Sequence, residues 1–370
     1  MRVLQLGKYF PPYVGGIETI IFNLTEELNK RGIKTDVLCS NFKKYYKKET
    51  DRGYIVYKTK RYGELLSTPI TPQLIFKLKK IISDYDIIHV HHPNPIANLA
   101  LFFAKPKEQK IVLHWHSDII KQKLTLKLYL PLLKWLVKKA NIILATNPQI
   151  IKHSSILKLN QEKCIIIPLG TVKPKINNHI FSSLKKFHKN KKIIFSLGRF
   201  VYYKGFEYLI ESAKYLTNDI IILIGGSGPL KAKYEKLIRK YNFKDKVHLI
   251  GKIPSQNLGS YYKACDLFCL PSIEKSEAFG LVMVEAMSFG KPVVATKIEG
   301  SGVSWVNQHQ ITGLNVPPKN PKALAEAFTY ILENENVYQQ FSRNALKRYE
   351  TEFTLEKMID RVINVYQRLS

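Results

Sequence analysis

The segment SEAFGLVMVEAM, at residues 276–287, is the most informative stretch of this 370-residue chain. It carries two carboxylates, Glu277 and Glu285, and the Phe279-Gly280 pair between them indicates the start of a helix. If the whole stretch were helical, a rise of ~1.5 Å per residue would separate the two acids by about 12 Å. That exceeds the roughly 5–9.5 Å that the paired carboxylates of a glycosidase need. The spacing suits acids that hold the two ends of one long ligand, with phosphates facing the helix N-terminus between them. An amphipathic helix with two solvated glutamates is the alternative.

Length and composition favour two domains of ordinary size. A chain of 370 residues is long for one hydrophobic core, and its 45% hydrophobic content can supply two. The four cysteines are too few and too scattered for a disulfide framework. No apolar stretch reaches the ~18 residues of a membrane span, and the chain begins with a strand-like run rather than a signal peptide. We therefore expect a cytoplasmic protein.

The net charge of +29 predicts a negatively charged partner. Residues 119–139 contain no acid and combine leucines with Tyr129 and Trp135, a composition typical of helices that lie on membrane surfaces. A half-buried helix with its lysines in solvent fits the same pattern. No nucleic-acid-binding module is recognisable, so we expect no nucleic acid as a partner. The lysines of this basic segment are Lys121, Lys123, Lys127, Lys134, Lys138 and Lys139.

Strand-like and helical patterns alternate throughout the chain, which predicts parallel sheets with helices on both faces. We therefore predict an α/β protein with two Rossmann-like, doubly wound domains that face a central cleft. The predicted strands are residues 3–6, 35–39, 87–90, 111–113, 142–145 and 165–167, then 193–197, 220–224, 247–250, 267–270 and 293–295. The predicted organisation is an acceptor-side domain at 1–170, a connection at 171–190, a donor-binding domain at 191–350, and a helix at 351–370 that docks on the N-terminal domain.

Glycines and polar residues collect directly after these predicted strands. Doubly wound sheets bind ligands at the carboxyl ends of their strands, so six such coincidences indicate one shared binding cleft. The residues concerned are Gly15, Gly16, His91, His92, His116 and Asp118 in the first half, and Gly198, Arg199, Lys204, Gly205, Gly225 to Gly228 and Glu277 in the second.

Three of these groups have competing interpretations. The glycines after residue 224 lack the G-x-G-x-x-G spacing, and no obvious acid at a strand end follows about 20 residues later, so NAD binding is poorly supported. The histidines at 89, 91, 92, 114 and 116 suggest a metal site, but they alternate along strands without an accompanying cysteine. Arg199 and Lys204 are cations suited to a diphosphate leaving group, although solvated charges would explain them too.

Taken together, these motifs resemble the retaining glycosyltransferases of family 4, which have the GT-B fold. The resemblance covers essentially the whole chain, and its most specific element is the pair Glu277-x7-Glu285. The segment HWHSDIIKQ at 114–122 is similar to a subgroup that assembles bacterial O-antigen and related surface polysaccharides. The motifs that carry the resemblance are PPYVGGIE at 11–18, His116, Gly198-Arg199 with Lys204-Gly205, the glutamate pair, and GKPVV at 290–294.

The resemblance implies a catalytic role for four residues. Arg199 and Lys204 would bind the diphosphate and stabilise the departing nucleoside diphosphate, an electrostatic contribution that is often the largest in catalysis. Glu277 would hold hydroxyls of the donor sugar, and His116 would contact that sugar near the reacting carbon. Glu285 would hold the ribose hydroxyls. The anomeric configuration would be retained without a divalent cation or any other cofactor.

The resemblance also implies further contacts with both substrates. Glu18 and Asp118 are candidate groups on the acceptor side. The donor base is left open; we place a GDP-mannose-like donor first and a UDP-sugar next. The remaining donor-binding residues would be Gly15, Gly16, Gly226, Ala278, Phe279 and Gly280.

The expected acceptor is a growing, lipid-linked surface glycan. The enzyme would then be peripheral on the inner face of the cytoplasmic membrane and bound to its anionic surface. Two other functions are compatible with the sequence: a GT-B sugar-nucleotide epimerase, and a basic membrane-binding protein without catalytic activity.

Overall fold

The computed structural model describes residues 1–13, 15–50, 52–66, 68–119 and 123–369, with the backbone alone at 123–126. The chain forms two compact units. One comprises Met1–Leu169 together with Met358–Ser370, and the other comprises Gly170–Lys357. Each unit has its own parallel sheet and its own hydrophobic core.

The first unit is built on an eight-stranded sheet with the order β10-β9-β8-β7-β1-β2-β4-β3. All neighbours are parallel except β3, which runs antiparallel to β4 at the edge. The strands are β1 (Arg2–Leu6), β2 (Lys34–Ser40), β3 (Lys47–Glu49), β4 (Val56–Thr59), β5 (Gly63–Leu65), β6 (Thr68–Ile70), β7 (Ile87–His92), β8 (Lys110–Trp115), β9 (Ile142–Ala145) and β10 (Cys164–Ile166), where β5 and β6 form a separate hairpin. The helices are α1 (Gly16–Lys30), α2 (Gln73–Ile81), α3 (Pro95–Ala104), α4 (Lys123–Lys139) and α5 (Pro148–His153).

The two faces of this sheet differ in polarity. Because side chains alternate along a strand, β1, β7 and β8 turn Leu4, Ile88 and Leu113 toward a core covered by α2, α3 and α4. The opposite face of the same strands carries Gln5 and three histidines, His89, His91 and His114, and His116 directly follows β8; all of them are buried. The first unit therefore contains a layer of buried polar side chains beside its apolar core.

The second unit is built on a six-stranded parallel sheet with the order β13-β12-β11-β14-β15-β16. The strands are β11 (Lys192–Leu197), β12 (Ile220–Gly225), β13 (Val247–Gly251), β14 (Leu267–Leu270), β15 (Val293–Thr296) and β16 (Gly313–Val316). The helices are α6 (Asn178–Phe187), α7 (Phe206–Ser212), α8 (Lys231–Lys240), α9 (Ser255–Ala264), α10 (Leu281–Met287), α11 (Val303–Val306), α12 (Pro321–Glu333) and α13 (Glu335–Arg348).

The segment 171–190, predicted as a connection, differs from that expectation because it contains α6 and belongs to the second unit. Asn177 caps this helix by accepting hydrogen bonds from the backbone N–H groups of His179 and Ile180. The helix packs against α9, where Lys263 lies over the ring of Phe181. The lysines of α6 face solvent, and in the sequence they obscure the pattern of apolar residues that would have predicted this helix.

Asn-Pro pairs begin three helices in the chain. Asn94, Asn147 and Asn320 each accept a hydrogen bond from the N–H three residues later, and the following proline occupies the first helical turn. Asparagine supplies the side-chain acceptor, and proline lacks the N–H that the first turn would leave unpaired. These local signals fix the starts of α3, α5 and α12.

The last helix, α14 (Leu355–Gln367), follows α13 and returns the chain to the first unit. It buries an apolar stripe that includes Met358, Ile359, Val362 and Tyr366. This agrees with the predicted docking of the C-terminal helix on the N-terminal domain. Among the helices that the structure describes, none is long and apolar enough to cross a membrane.

The docking of α14 predicts an asymmetric effect of two adjacent substitutions. Ile359 is fully buried, so Ile359→Ala should lower the free energy of unfolding by about 2–5 kcal/mol. Asp360 is exposed and pairs with Arg31 at the surface, so Asp360→Ala should cost less than about 1 kcal/mol. Urea unfolding followed by circular dichroism measures both, and equal losses would contradict the packing assigned to this helix.

Candidate active site

Lys204 and Glu277 form a buried ion pair at the carboxyl edge of the second sheet. Lys204 lies in the turn after β11, and Glu277 lies in the loop after β14. The Nζ atom of Lys204 donates to Oε2 of Glu277 at 2.5 Å, and each residue is only 8% exposed. A charge so far from water is costly without a partner, so each side chain holds the other in place.

Three further contacts fix the loop that carries Glu277. Ser272 Oγ donates to the same carboxylate oxygen at 2.9 Å, and Ser301 Oγ donates to the backbone carbonyl of Glu277. The Glu277 N–H donates to the carbonyl of Glu274 at 2.9 Å. Lys204 and Ser272 therefore hold the carboxylate, while Ser301 and Glu274 hold the backbone of Glu277.

Two glycines let the neighbouring loops approach closely. Gly205 adopts φ = 63°, and a Cβ there would lie 2.2 Å from the Pro271 carbonyl oxygen. Gly226 adopts φ = 137°, and a Cβ there would lie 1.8 Å from the carbonyl oxygen of Gly198. Gly226, predicted to bind the donor, thus packs against the loop that carries Arg199, whose side chain is exposed.

Glu285 is the second acid of the predicted pair, and it alone lies within a helix. The helix α10 begins after Gly280, which adopts φ = 79°, so the stretch 276–287 is helical only over its last seven residues. Tyr262 on α9 donates its hydroxyl to Glu285 at 2.7 Å. Burial raises the pKa of the Glu285 carboxyl to about 7, and the bond from Tyr262 partly opposes this rise.

The residues between the two acids anchor this loop. The carbonyl of Ala278 accepts from the N–H of Gly302 at 2.9 Å. Phe279 is buried and meets Phe353 edge-on, with ring centroids 5.9 Å apart. A Cβ on Gly280 would lie 2.7 Å from Met283 Cε, so only glycine fits at the start of α10. The first N–H groups of the helix have no intrahelical partner, as at any helix start.

The glycines of the first unit lie at the start of α1. Gly15 precedes the helix, and a Cβ there would lie 2.2 Å from Oε2 of Glu18, whereas Gly16 has nothing within 4 Å of that position. Glu18 is buried in the first helical turn. Burial lowers the pKa of Lys8, and the charge of Glu18 opposes this shift. The predicted acceptor-side carboxylate therefore lies beside a half-buried lysine and a glycine backbone.

His116 and Asp118 follow β8 in the first unit. His116 is buried, and its Nε2 lies 2.9 Å from Nδ1 of His91. Oδ1 of Asp118 accepts from Trp115 Nε1 and from Ser154 Oγ, both at 2.9 Å. Asp118, predicted as an acceptor-side group, therefore links Trp115 at the end of β8 to Ser154, which follows α5. Residues 120–122 of the motif at 114–122 lie outside the described residues.

The histidine cluster has poor geometry for a metal ion. Ring nitrogens of His89, His91 and His114 lie within 4.8 Å of one another. However, the rings of His89 and His91 are stacked, with centroids 4.6 Å apart and planes only 3° from parallel. An imidazole nitrogen directs its lone pair within the ring plane, so one ion cannot lie in both planes. Hydrogen bonds link these side chains to one another and to Gln5 and His116, and leave Nε2 of His114 without a partner among the described residues.

Sequence reasoning missed Ser272 and Tyr262. Ser272 follows strand β14 by two residues, so the argument from strand ends could have found it. Tyr262 lies on α9 and donates to Glu285 on α10. The sequence carries no signal for this contact, because it depends on how the two helices are placed in the fold.

Comparison with known proteins agrees with this geometry. The model for Glycosyltransferase Family 4 matches residues 14–171, and the model for Glycosyl transferases group 1 matches residues 179–348. The O-antigen chain mannosyltransferase C of Escherichia coli is 31% identical over 380 aligned positions, covering 100% of this chain and 99% of the relative. The chain belongs to family 4 of the glycosyltransferases.

A second relative supports this assignment, and two solved structures share the fold. The D-rhamnosyltransferase WbpZ of Pseudomonas aeruginosa is 29% identical, over 96% of this chain and 92% of the relative. Sucrose-phosphate synthase from Thermosynechococcus elongatus superposes with a TM-score of 0.81 at 21% identity, over 100% and 98% of the two chains. HepE from Anabaena, solved with UDP, gives 0.80 at 19% identity and covers both chains fully. The predicted GT-B fold and the resemblance to family 4 are confirmed.

The environment of Glu285 predicts a pH-dependent stability. Between pH 4.5, the usual pKa of this side chain, and about 7, the unfolded chain has lost this proton while the folded glycosyltransferase retains it. The unfolding free energy should therefore fall as pH rises through this window. Glu285→Gln keeps an acceptor for Tyr262 but cannot titrate. Melting temperatures from pH 4.5 to 8 should show the wild type losing stability relative to this variant up to about pH 7, and parallel curves would contradict the assignment.

Proposed function

We propose that this glycosyltransferase transfers a hexose from a nucleotide-diphosphate sugar to a growing, lipid-linked surface glycan of the O-antigen type. The observation that carries the proposal is the buried pair of Lys204 and Glu277, with Arg199 on the same loop as Lys204 and Glu285 on the following helix. This set supplies cations for a diphosphate and acids for sugar and ribose hydroxyls. The transfer retains the anomeric configuration and uses no metal ion.

The donor is a GDP-mannose-like sugar in first place, with a UDP-sugar next. Support comes from the relatives, whose names specify mannosyl and D-rhamnosyl transfer, and from HepE, which was solved with UDP and with UDP-glucose. The first of these names, an O-antigen chain mannosyltransferase, also supports a place in polysaccharide assembly. A binding screen with different nucleotide sugars would identify the base and the sugar of the donor.

Lys204 can bind a phosphate while it remains paired with Glu277. A lysine ammonium has three N–H donors, of which Glu277 takes one. Lys204 and Ser272 both donate to Oε2 of the Glu277 carboxylate, so Oε1 can accept a hydrogen bond from a sugar hydroxyl. The pair is thus a preformed contact that joins the phosphate-binding group to the sugar-binding group.

Arg199 supplies the second cation. Its guanidinium is exposed, planar and permanently charged, which suits bidentate contact with a diphosphate. Negative charge grows on the leaving nucleoside diphosphate as the bond to the sugar breaks. Cations placed beforehand stabilise that charge more in the transition state than in the ground state.

We expect Arg199→Ala to lower kcat by on the order of 10²–10³, as the loss of one transition-state contact does in other enzymes. Arg239→Ala, at another exposed arginine of the second unit, is the matched control and should leave kcat unchanged. Steady-state kinetics with a saturating donor measures both. A variant at Arg199 that raised only KM would show that this residue binds the donor without stabilising the leaving group.

Activity should persist in an excess of a chelator such as EDTA. Arg199 and Lys204 together can balance the charge of a diphosphate, which many other transferases balance with a divalent cation. The measurement compares initial rates before and after dialysis against the chelator. Loss of activity that magnesium or manganese restored would contradict the proposed phosphate contacts.

Three neighbouring helices support attachment to an anionic membrane. None of α2, α3 and α4 contains an aspartate or glutamate, and α3 packs against both of the others. Leu128 on α4 is 84% exposed and Phe76 on α2 is 72% exposed, which is unusual for side chains of this size. Exposed lysines accompany them, Lys127 and Lys134 among these.

Two aromatic side chains of the basic segment have a different role from the expected one. Tyr129 and Trp135 pack against the core of the first unit, where Tyr129 contacts Asn98 and Trp135 meets Phe102 edge-on at 5.1 Å. The membrane-facing side chains would then be the exposed ones of the three helices. Lys121 lies outside the described residues.

Charge reversal on α4 should weaken membrane binding. A lysine near an anionic surface contributes about 1 kcal/mol, so the double variant Lys127→Glu/Lys134→Glu should bind at least about thirtyfold more weakly. The double variant Lys236→Glu/Lys240→Glu on α8 changes the net charge equally and should bind like the wild type. Co-sedimentation with anionic and neutral vesicles at low and high salt is the test. Equal binding to both lipids, or equal loss in both variants, would contradict a dedicated membrane face.

A further inference from the structure

A chain of buried hydrogen bonds links His116 to the C-terminal helix within the first unit. Nε2 of His116 lies 2.9 Å from Nδ1 of His91, and Nε2 of His91 lies 2.7 Å from Oε1 of Gln5. Nε2 of Gln5 lies 3.4 Å from the hydroxyl of Tyr366 on α14. All four side chains are buried, and of these the family resemblance implies a substrate contact only for His116.

The amide of Gln5 gives this chain a direction. Its oxygen only accepts, so the proton in the bond to His91 sits on Nε2 of His91. A neutral imidazole carries one N–H, which makes Nδ1 of His91 an acceptor. The proton in the next bond therefore sits on Nε2 of His116, and Nδ1 of His116 keeps its lone pair.

Both histidines are neutral in this environment. Burial lowers the pKa of His91 and of His116 well below the usual range, and the neighbouring histidines shift both further in the same direction. A doubly protonated ring, which would donate at both nitrogens, is thereby disfavoured. At the other end of the chain Tyr366 also contacts His89, whose Nε2 lies 3.2 Å from Nδ1 of His114, and Nε2 of His114 has no hydrogen-bond partner among the described residues.

Nδ1 of His116 is an unpaired nitrogen at the end of the chain that follows β8. It is buried, and no group among the described residues forms a hydrogen bond with it. Buried polar atoms in folded proteins are normally paired, so an unpaired one next to a proposed substrate contact indicates a place for a ligand group.

We infer that His91 and Gln5 are positioning residues that fix His116 as the Nε2–H tautomer, so that its Nδ1 accepts a hydrogen bond from a hydroxyl of the substrate sugar. This inference rests on the proposed glycosyl transfer for the identity of the ligand. It adds a selectivity rule, because a sugar with a hydroxyl at that position can donate to Nδ1, whereas its deoxy or O-methyl analogue cannot.

The tautomer can be measured directly in the full-length protein. Long-range ¹H–¹⁵N correlation spectra of histidine-labelled protein distinguish protonated from bare ring nitrogens, and the spectrum of His116→Gln assigns the signals of His116. We expect a bare Nδ1 and a protonated Nε2 at neutral pH. A proton on Nδ1, or on both nitrogens, would overturn the inference.

Two substitutions at His91 separate positioning from packing. The side-chain oxygen of His91→Asn can take the place of Nδ1 as an acceptor, so the tautomer of His116 should persist and kcat should change by less than about threefold. His91→Phe fills the site without an acceptor, so His116 should lose its tautomer preference and kcat should fall by about tenfold, with a smaller change in KM. Equal behaviour of the two variants would contradict the positioning role.

His89→Phe is the control for packing, because His89 is equally buried on the same face of β7 but bonds to His114 and to the Tyr366 hydroxyl, and not to His91 or His116. It should lower the melting temperature while leaving the tautomer of His116 and kcat unchanged. A loss of kcat equal to that of His91→Phe would assign the effect to packing. The tautomer spectrum needs no activity, so an inactive wild type would overturn the proposed function, while an active enzyme with a protonated Nδ1 would overturn this inference alone.

Discussion

The buried ion pair between Lys204 and Glu277 is the interaction on which the second unit's site depends. Either charge alone would be costly at this depth, so the fold must bring the loops after β11 and β14 together with little freedom. Glycines with left-handed backbone, Gly205 among them, permit that approach, and the Ser272 hydroxyl donates a second hydrogen bond to the carboxylate. The site is therefore rigid before any ligand binds, which suits stabilisation of charge that develops during a reaction.

The first unit also holds buried polar side chains in place, but with neutral groups instead of an ion pair. Its buried polar layer contains no ion pair; neutral imidazoles, an amide and a phenol bond to one another in a chain. Such a network is stable only when its members are satisfied, which makes the one unpaired nitrogen of His116 informative. Tyr366 belongs to the last helix, so the C-terminal end of the chain supports a candidate site that lies after strand β8.

Continuous apolar runs made most strands predictable, since strands buried on both faces leave a clear signal. The sequence did not predict β4, Val56–Thr59, because Lys58 and Thr59 interrupt its apolar pattern; Lys58 is buried against Glu49 and a backbone carbonyl. Strand-end logic and the family resemblance identified Lys204 and Glu277 as candidates. The direct contact between these two residues was not predictable, and neither was the hydrogen bond from Tyr262 to Glu285. Both contacts depend on how distant loops and helices pack, and local sequence patterns do not show this.

The most direct test of the account is calorimetric titration of nucleoside diphosphates and their sugars into the wild type and into Lys204→Met/Glu277→Gln. The double substitution removes both charges together, so it leaves no unpaired charge in the site. We predict that GDP or UDP binds the wild type at one site, and that saturation at 100 times the dissociation constant stabilises it by about 2.7 kcal/mol. The double variant should remain folded and lose this binding. A wild type that binds no nucleoside diphosphate, or a double variant that binds as tightly, would contradict the central role of this pair.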